Sequence, residues 1–137
     1  MEKCRFCSRD YRKKRNVLEN EFFFANFDGH PVTDGHMKII PKRHVGSFFD
    51  LNEKEILAAY DLLKKSRKML DDKFHPDAYN IGVNDGKAAG QTVFHPHIHL
   101  MPRYFGDVPD PTGGVRNVIP EKGNYMLRNK KQCMVKK

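Results

Sequence analysis

Three histidines occupy alternate positions in FHPHIHLMPRY, residues 94–104, with a proline between the first two. A neutral imidazole can attack phosphorus through one ring nitrogen while the other holds a proton. A second imidazole can bind phosphoryl oxygens or assist the leaving group. On an extended strand, alternate side chains share a face and repeat about every 6.8 Å. His97 and His99 are therefore expected to face one site, and Pro96 interrupts the extrapolation to His95. The same spacing also fits separate structural histidines or a strand of metal ligands. His36 opens another apolar run and can approach the same face.

Groups suited to holding phosphate surround this stretch. Asn84 closes one predicted strand, and Gln91 and Thr92 lie just before the histidines, so amide, hydroxyl and backbone donors converge. Arg103 is a further candidate phosphate partner, with a plain surface charge as its alternative. Cys4 and Cys7 form a CxxC pair, a spacing open to redox, metal-binding or incidental readings. The opening lacks a thioredoxin-like strand-to-helix setting, and the supply of histidine favours zinc. Cys133 stands alone near the end of the chain.

These groups need a scaffold. A chain of 137 residues accommodates one domain with a real core. Residues 17–28, VLENEFFFANFD, read as strand, turn and strand; HMKIIP, 36–41, reads as a short buried strand. Residues 51–74 read as an amphipathic helix with Ile56, Leu57, Tyr60, Leu63, Met69 and Leu70 as its apolar stripe. Asn52 is its expected N-cap, Glu55 completes a capping box, and His75-Pro76 marks its exit. AYNIGVN, 78–84, reads as a strand, DGKAAGQ as a turn, and TVFHPHIHLMPR as a central strand irregular at Pro96. The stretch DVPDPTGGVRNVIPEKGNY follows as a turn-rich arm.

The formal net charge is +8, with clusters at Arg9, Arg12, Lys13, Lys14 and Arg15 and from Arg128 to Lys137. Such clusters favour anions, nucleic acid included, although no accessory nucleic-acid motif accompanies them. With no apolar run of membrane length and no apolar leader, the expectation is a cytoplasmic protein without a membrane partner.

Taken together, VLENEFFFANFD, GHMKIIPKRH, YNIGVNDG and GQTVFHPHIHLMPRY resemble the histidine triad (HIT) family over most of residues 17–104. The resemblance is to bacterial HIT-like nucleotide hydrolases related to diadenosine polyphosphate hydrolases. It implies an α+β HIT fold, a five-stranded antiparallel sheet with packed helices, assembled as a homodimer. Residues 1–137 would form a single HIT-like domain, with 1–15 a zinc-associated basic segment and 105–137 a C-terminal arm and basic tail. His97 would be the nucleophile forming a nucleotidyl-histidine, His99 would contact phosphate, and His36 would complete the catalytic face. Asn84, Gln91 and Thr92 would orient phosphate, and Asp28 would meet the ribose hydroxyls. Cys4, Cys7, His44 and His95 would hold a structural zinc, an arrangement similar to that of galactose-1-phosphate uridylyltransferases. The intact His99 argues against that branch, where glutamine takes its place. FDGHP departs from the family's usual wording at the ribose position, and His30 there is read as a surface residue.

The implied reaction is hydrolysis of adenosine-containing dinucleoside polyphosphates or nucleoside phosphoramidates, releasing a nucleoside monophosphate. It requires no catalytic metal or organic cofactor. The rivals are a nucleotidyltransferase or phosphorylase, and a low-turnover nucleotide-binding signalling protein.

Overall fold

The computed structural model describes residues 4–127, so Cys133 and the basic cluster from Arg128 to Lys137 lie outside the described residues. The chain divides into two compact units, Met1–Arg103 and Tyr104–Lys137. In the first, a 3-10 turn at Arg5–Cys7 leads to α1 (Arg9–Arg15). The strands β1 (Leu18–Glu19), β2 (Phe23–Phe27) and β3 (Met37–Pro41) follow. Helix α2 (Glu53–Phe74) separates these from β4 (Ala78–Val83) and β5 (Ile98–Arg103). The five strands form one antiparallel sheet in the order β1-β2-β3-β5-β4, as expected.

Strand parity sorts the residues of this sheet onto two faces. Phe23, Ala25, Met37, Ile39, Ile98 and Leu100 form the main core with Ala59, Leu62 and Leu70 of α2. The opposite face carries Phe24, Ile40, Lys38 and His99, with Lys38 and His99 directly paired across β3 and β5. Phe6 from the N-terminal segment covers part of this second face, packing with Phe24 and Ile40. The sheet thus separates a helix-covered core from a face that holds imidazoles.

The capping box at Asn52 and Glu55 is present, and His75 ends α2 in the left-handed conformation at φ 51°. The inward stripe of the helix differs from expectation. It runs through Glu55, Ala59, Leu62, Ser66 and Leu70, whereas Ile56, Leu57 and Tyr60 are exposed. Glu55 can turn inward because Arg43 binds its carboxylate in a fork, with contacts of 2.7 and 3.2 Å. Burying that polar residue rotates the stripe away from the simple apolar pattern. The histidine strand also starts later than expected: β5 begins at Ile98, which leaves His95 and His97 outside the ladder. Pro96 has no amide to donate there.

Helix α1 was not anticipated from the basic run, although Ser8 caps it by accepting from the Tyr11 amide. In the second unit, 3-10 turns at Gly114–Val118 and Pro120–Lys122 are tied by Arg116, which donates to the Lys122 carbonyl. Gly113 there has φ 90°, and a Cβ would lie 2.1 Å from the Gly123 carbonyl oxygen, so only glycine fits. Among the described residues, no helix is long and apolar enough to cross a membrane.

Asn52→Ala removes the N-cap acceptor and is expected to cost about 1 kcal/mol, or roughly 4 °C in Tm, by thermal melting. The Arg43 hydrogen bonds are the largest influence on Glu55 and hold its pKa below the ordinary value. Its stabilising contribution is therefore complete above that ordinary value and is lost as pH falls through the lower folded value. Glu55→Gln should flatten this part of the acid-unfolding curve. An unchanged curve would contradict the pairing.

Candidate active site and metal cluster

Three hydrogen bonds define the state of the imidazoles. His97 Nδ1 lies 3.0 Å from the His95 carbonyl oxygen, so Nδ1–H donates and Nε2 keeps the lone pair. The Val32 amide donates to His36 Nδ1 at 3.2 Å. His36 must then carry its proton on Nε2, which donates to His99 Nδ1 at 2.9 Å. That leaves His99 with its proton on Nε2 as a free donor group. Burial depresses the pKa of all three rings; for His99, burial and then His97 lower it to about 4. The imidazoles are therefore neutral near pH 7, as a nitrogen nucleophile and a neutral donor require.

An open pocket of about 270 Å³ brings His97 and His99 together with Asp28, Asn84, Gln91 and Thr92. Arg5, Phe6, His30 and Lys38 also line it. His36 stands behind His99 and is buried. Asp28 Oδ2 lies 3.6 Å from His36 and 3.7 Å from His99. Burial opposes ionisation of Asp28, but the His30 amide and the neighbouring His36, Lys38 and His99 together hold its pKa below normal.

Gln91 is buried, and its amide is committed to the backbone. It accepts from Gly86 N and donates to the carbonyls of Val93 and Gly46. It shapes the loop that presents Thr92. Arg103 does not line the pocket; it donates to Asn80 Oδ1 at 2.6 Å. His30 is exposed at the rim.

Sequence reading missed three contributors. Phe6 is 2% exposed, and its ring meets His97 edge-on at 5.3 Å and His95 at 5.7 Å. Asp85 accepts from Ser47 Oγ and the Phe48 amide, tying the loop after β4 to the segment after β3. Lys38 is the third, and its signal was a lone charge within the apolar run MKIIP.

A second cluster adjoins the first. Cys4, Cys7, His44 and His95 place their ligand atoms within 4.8 Å of one another. The separations are 3.4 Å for Cys4 to His95, 3.3 Å for Cys7 to His44, 3.6 Å for Cys7 to His95 and 3.1 Å for His44 to His95. A tetrahedron with bonds of about 2.3 Å to sulfur and about 2.0 Å to nitrogen has edges of roughly 3.3–3.8 Å, so these donors fit a four-coordinate ion. Two Nδ1 atoms facing each other across 3.1 Å also match ligands converging on a cation. The far side of His95 is held by its Nε2–H, which donates to the Pro41 carbonyl at 2.7 Å, the outer contact that orients a metal-binding imidazole.

Comparison with known proteins identifies the family. The family model described as HIT domain matches residues 10–106. The chain belongs to the HIT family. It is 39% identical over 92 residues to a 16.1 kDa HIT-like protein of Mycoplasma pneumoniae, covering 67% of this chain and 64% of that one. It is 34% identical over 92 residues to a bis(5'-adenosyl)-triphosphatase of Dictyostelium discoideum, covering 67% and 62% respectively. The match thus spans slightly less than two thirds of the length of these curated relatives. A zinc-bound histidine triad family protein from Mycobacterium smegmatis shares the fold with a TM-score of 0.62 at 35% identity, over 69% of this chain and 73% of the other.

In an NMR titration of this HIT protein, His99 should change charge with a midpoint of about 4. A midpoint near the ordinary 6.5 would contradict the half-buried, neutral assignment. Elemental analysis of purified protein should find about one metal ion per chain, and Cys7→Ala should lower that content severalfold. Equal metal content in the two proteins would remove Cys7 from the ligand set.

Proposed function

We propose that this HIT protein hydrolyses nucleotides at the α-phosphorus through a nucleotidyl-His97 intermediate, with dinucleoside polyphosphates or nucleoside phosphoramidates as substrates. The observation that carries the proposal is the hydrogen bond from His97 Nδ1–H to the His95 carbonyl, which leaves Nε2 as the available nucleophile in the pocket. Similarity to a protein named as a bis(5'-adenosyl)-triphosphatase supports the substrate class and an adenosine-containing substrate.

In the first step, His97 Nε2 bonds to the α-phosphorus and the bond from phosphorus to the leaving group breaks. His99 Nε2–H donates to a phosphoryl oxygen as negative charge gathers there, with His36 fixing the tautomer from behind. Thr92 and Asn84 supply further polar groups at the pocket, and Asp28 meets the ribose hydroxyls. Water then attacks phosphorus, the N–P bond breaks, and a nucleoside monophosphate leaves with His97 regenerated.

Cys4, Cys7, His44 and His95 hold a structural zinc in this reading. The ion crosslinks the N-terminal segment to the sheet, and no chemical step passes through it. The proposed homodimer is supported by the open edge of β4, where Ile81 is 52% exposed.

Chromatographic analysis with a panel of diadenosine polyphosphates and adenosine phosphoramidates tests the activity. The expected product is AMP, carrying one oxygen from labelled water, with the same yield with or without inorganic phosphate. His97→Ala should lower the rate by at least about 10³-fold. Formation of ADP that depends on added phosphate would instead assign a phosphorylase. Tight nucleotide binding without any product would assign a binding protein.

A further inference from the structure

We propose that Lys38, assisted by Arg5, is a specificity residue that makes the pocket favour polyphosphate substrates over substrates with a single phosphate. This rests on the nucleotide-hydrolase reading above and extends it to the choice between the two substrate classes.

Lys38 is only 7% exposed, yet it is among the residues that line the pocket. A buried lysine ordinarily has an anionic partner, because removing its charge from water is costly. Here no carboxylate of the described residues forms an ion pair with it. Its nearest polar contact is the neutral Tyr11 hydroxyl at 3.2 Å, and its ammonium lies 5.0 Å from the centre of the Phe6 ring. The hydroxyl and the aromatic face orient the cation without neutralising it.

Lys38 also sits opposite His99 in the β3–β5 register, so its side chain rises from the face that carries the proposed phosphate donor. Arg5 adds a second cation on the same side, its guanidinium 5.9 Å from the Phe6 ring centre and 5.4 Å from that of Tyr11. Among the described residues, Asp28 is the single carboxylate lining the pocket.

Lys38 and Arg5 thus give the pocket two cations, Asp28 lies against His36 and His99, and the attacked phosphate of a phosphoramidate presents a single negative charge. A dinucleoside polyphosphate supplies additional oxyanions on the same molecule, and these complete the pairing of Lys38. Its leaving group is itself anionic, so a nearby ammonium also stabilises the charge that departs. Tyr11 places the lysine, and Phe6, lying against both Lys38 and His97, keeps the cation beside the nucleophile.

The test measures kcat/KM for diadenosine tetraphosphate and for an adenosine phosphoramidate with an uncharged amine leaving group. It uses the metal-loaded full chain, Lys38→Met, Lys38→Arg and Arg5→Gln. In Lys38→Met the ratio of the two constants should move about tenfold against the polyphosphate, and Lys38→Arg should recover most of it. Arg5→Gln should move the ratio in the same direction by a smaller factor. An unchanged ratio in a folded Lys38→Met overturns the proposal. Should that variant fail to fold, an unchanged ratio in Arg5→Gln, an exposed position, overturns it instead.

If the parent protein cleaves neither substrate, the hydrolase reading fails separately. Titration with inorganic tripolyphosphate then decides the role of Lys38. Binding about tenfold tighter in the parent than in Lys38→Met, or in Arg5→Gln where that variant alone folds, sustains the proposal, and equal binding overturns it.

Discussion

His95 is the residue on which the site depends. Its ring is fully buried and held at both ends, by the Pro41 carbonyl on one nitrogen and by the cysteine–histidine cluster on the other. Its main-chain carbonyl accepts from His97 Nδ1–H. One residue thereby joins the cysteine–histidine cluster, the sheet and the imidazole of His97. Pro96 makes this possible, since a residue without an amide keeps the segment out of the ladder and frees the backbone for a side-chain partner. If His95 were displaced, His97 would lose the acceptor that selects its tautomer.

The second constraint is the two-sided character of the sheet. One face is sealed by α2 and is wholly apolar at its centre. The other carries neutral imidazoles, a buried lysine and an aspartate, shielded by Phe6. Burial lowers the basicity of the histidines there, and Lys38 adds to the effect at His36, His97 and His99. A site that would otherwise hold imidazolium at mildly acid pH is kept as neutral donors and acceptors. The N-terminal segment shields this face, positions two of the four residues of the cysteine–histidine cluster and contributes Arg5 to the pocket.

Much of this was legible in the residues. The strand-turn-strand of 17–28, the buried MKIIP strand and the capped helix all follow from local pattern, because their apolar positions and caps need no distant partner. The helix phase did not follow. Glu55 and Ser66 occupy inward positions, and the burial of Glu55 depends on Arg43, which lies twelve residues earlier. The late start of β5 was hinted at by Pro96, but its consequence for His97 required the path of the backbone. Phe6 was hidden in a basic context, and Lys38 looked like an interruption in a strand. Both became meaningful only once the sheet had two distinct faces. The resemblance to a family supplied the expected roles of the histidines, and the hydrogen bonds supplied their tautomers.

In the proposed reaction His97 Nε2 forms a covalent bond to the α-phosphorus. The most direct measurement is intact-protein mass spectrometry after rapid mixing with diadenosine tetraphosphate or an adenosine phosphoramidate, comparing the parent with His97→Ala. The covalent route predicts a transient AMP adduct in the parent, decaying as AMP is released, and none in the variant. An adduct that persists in His97→Ala, or turnover in the parent by direct attack of water with no adduct at any mixing time, would contradict it.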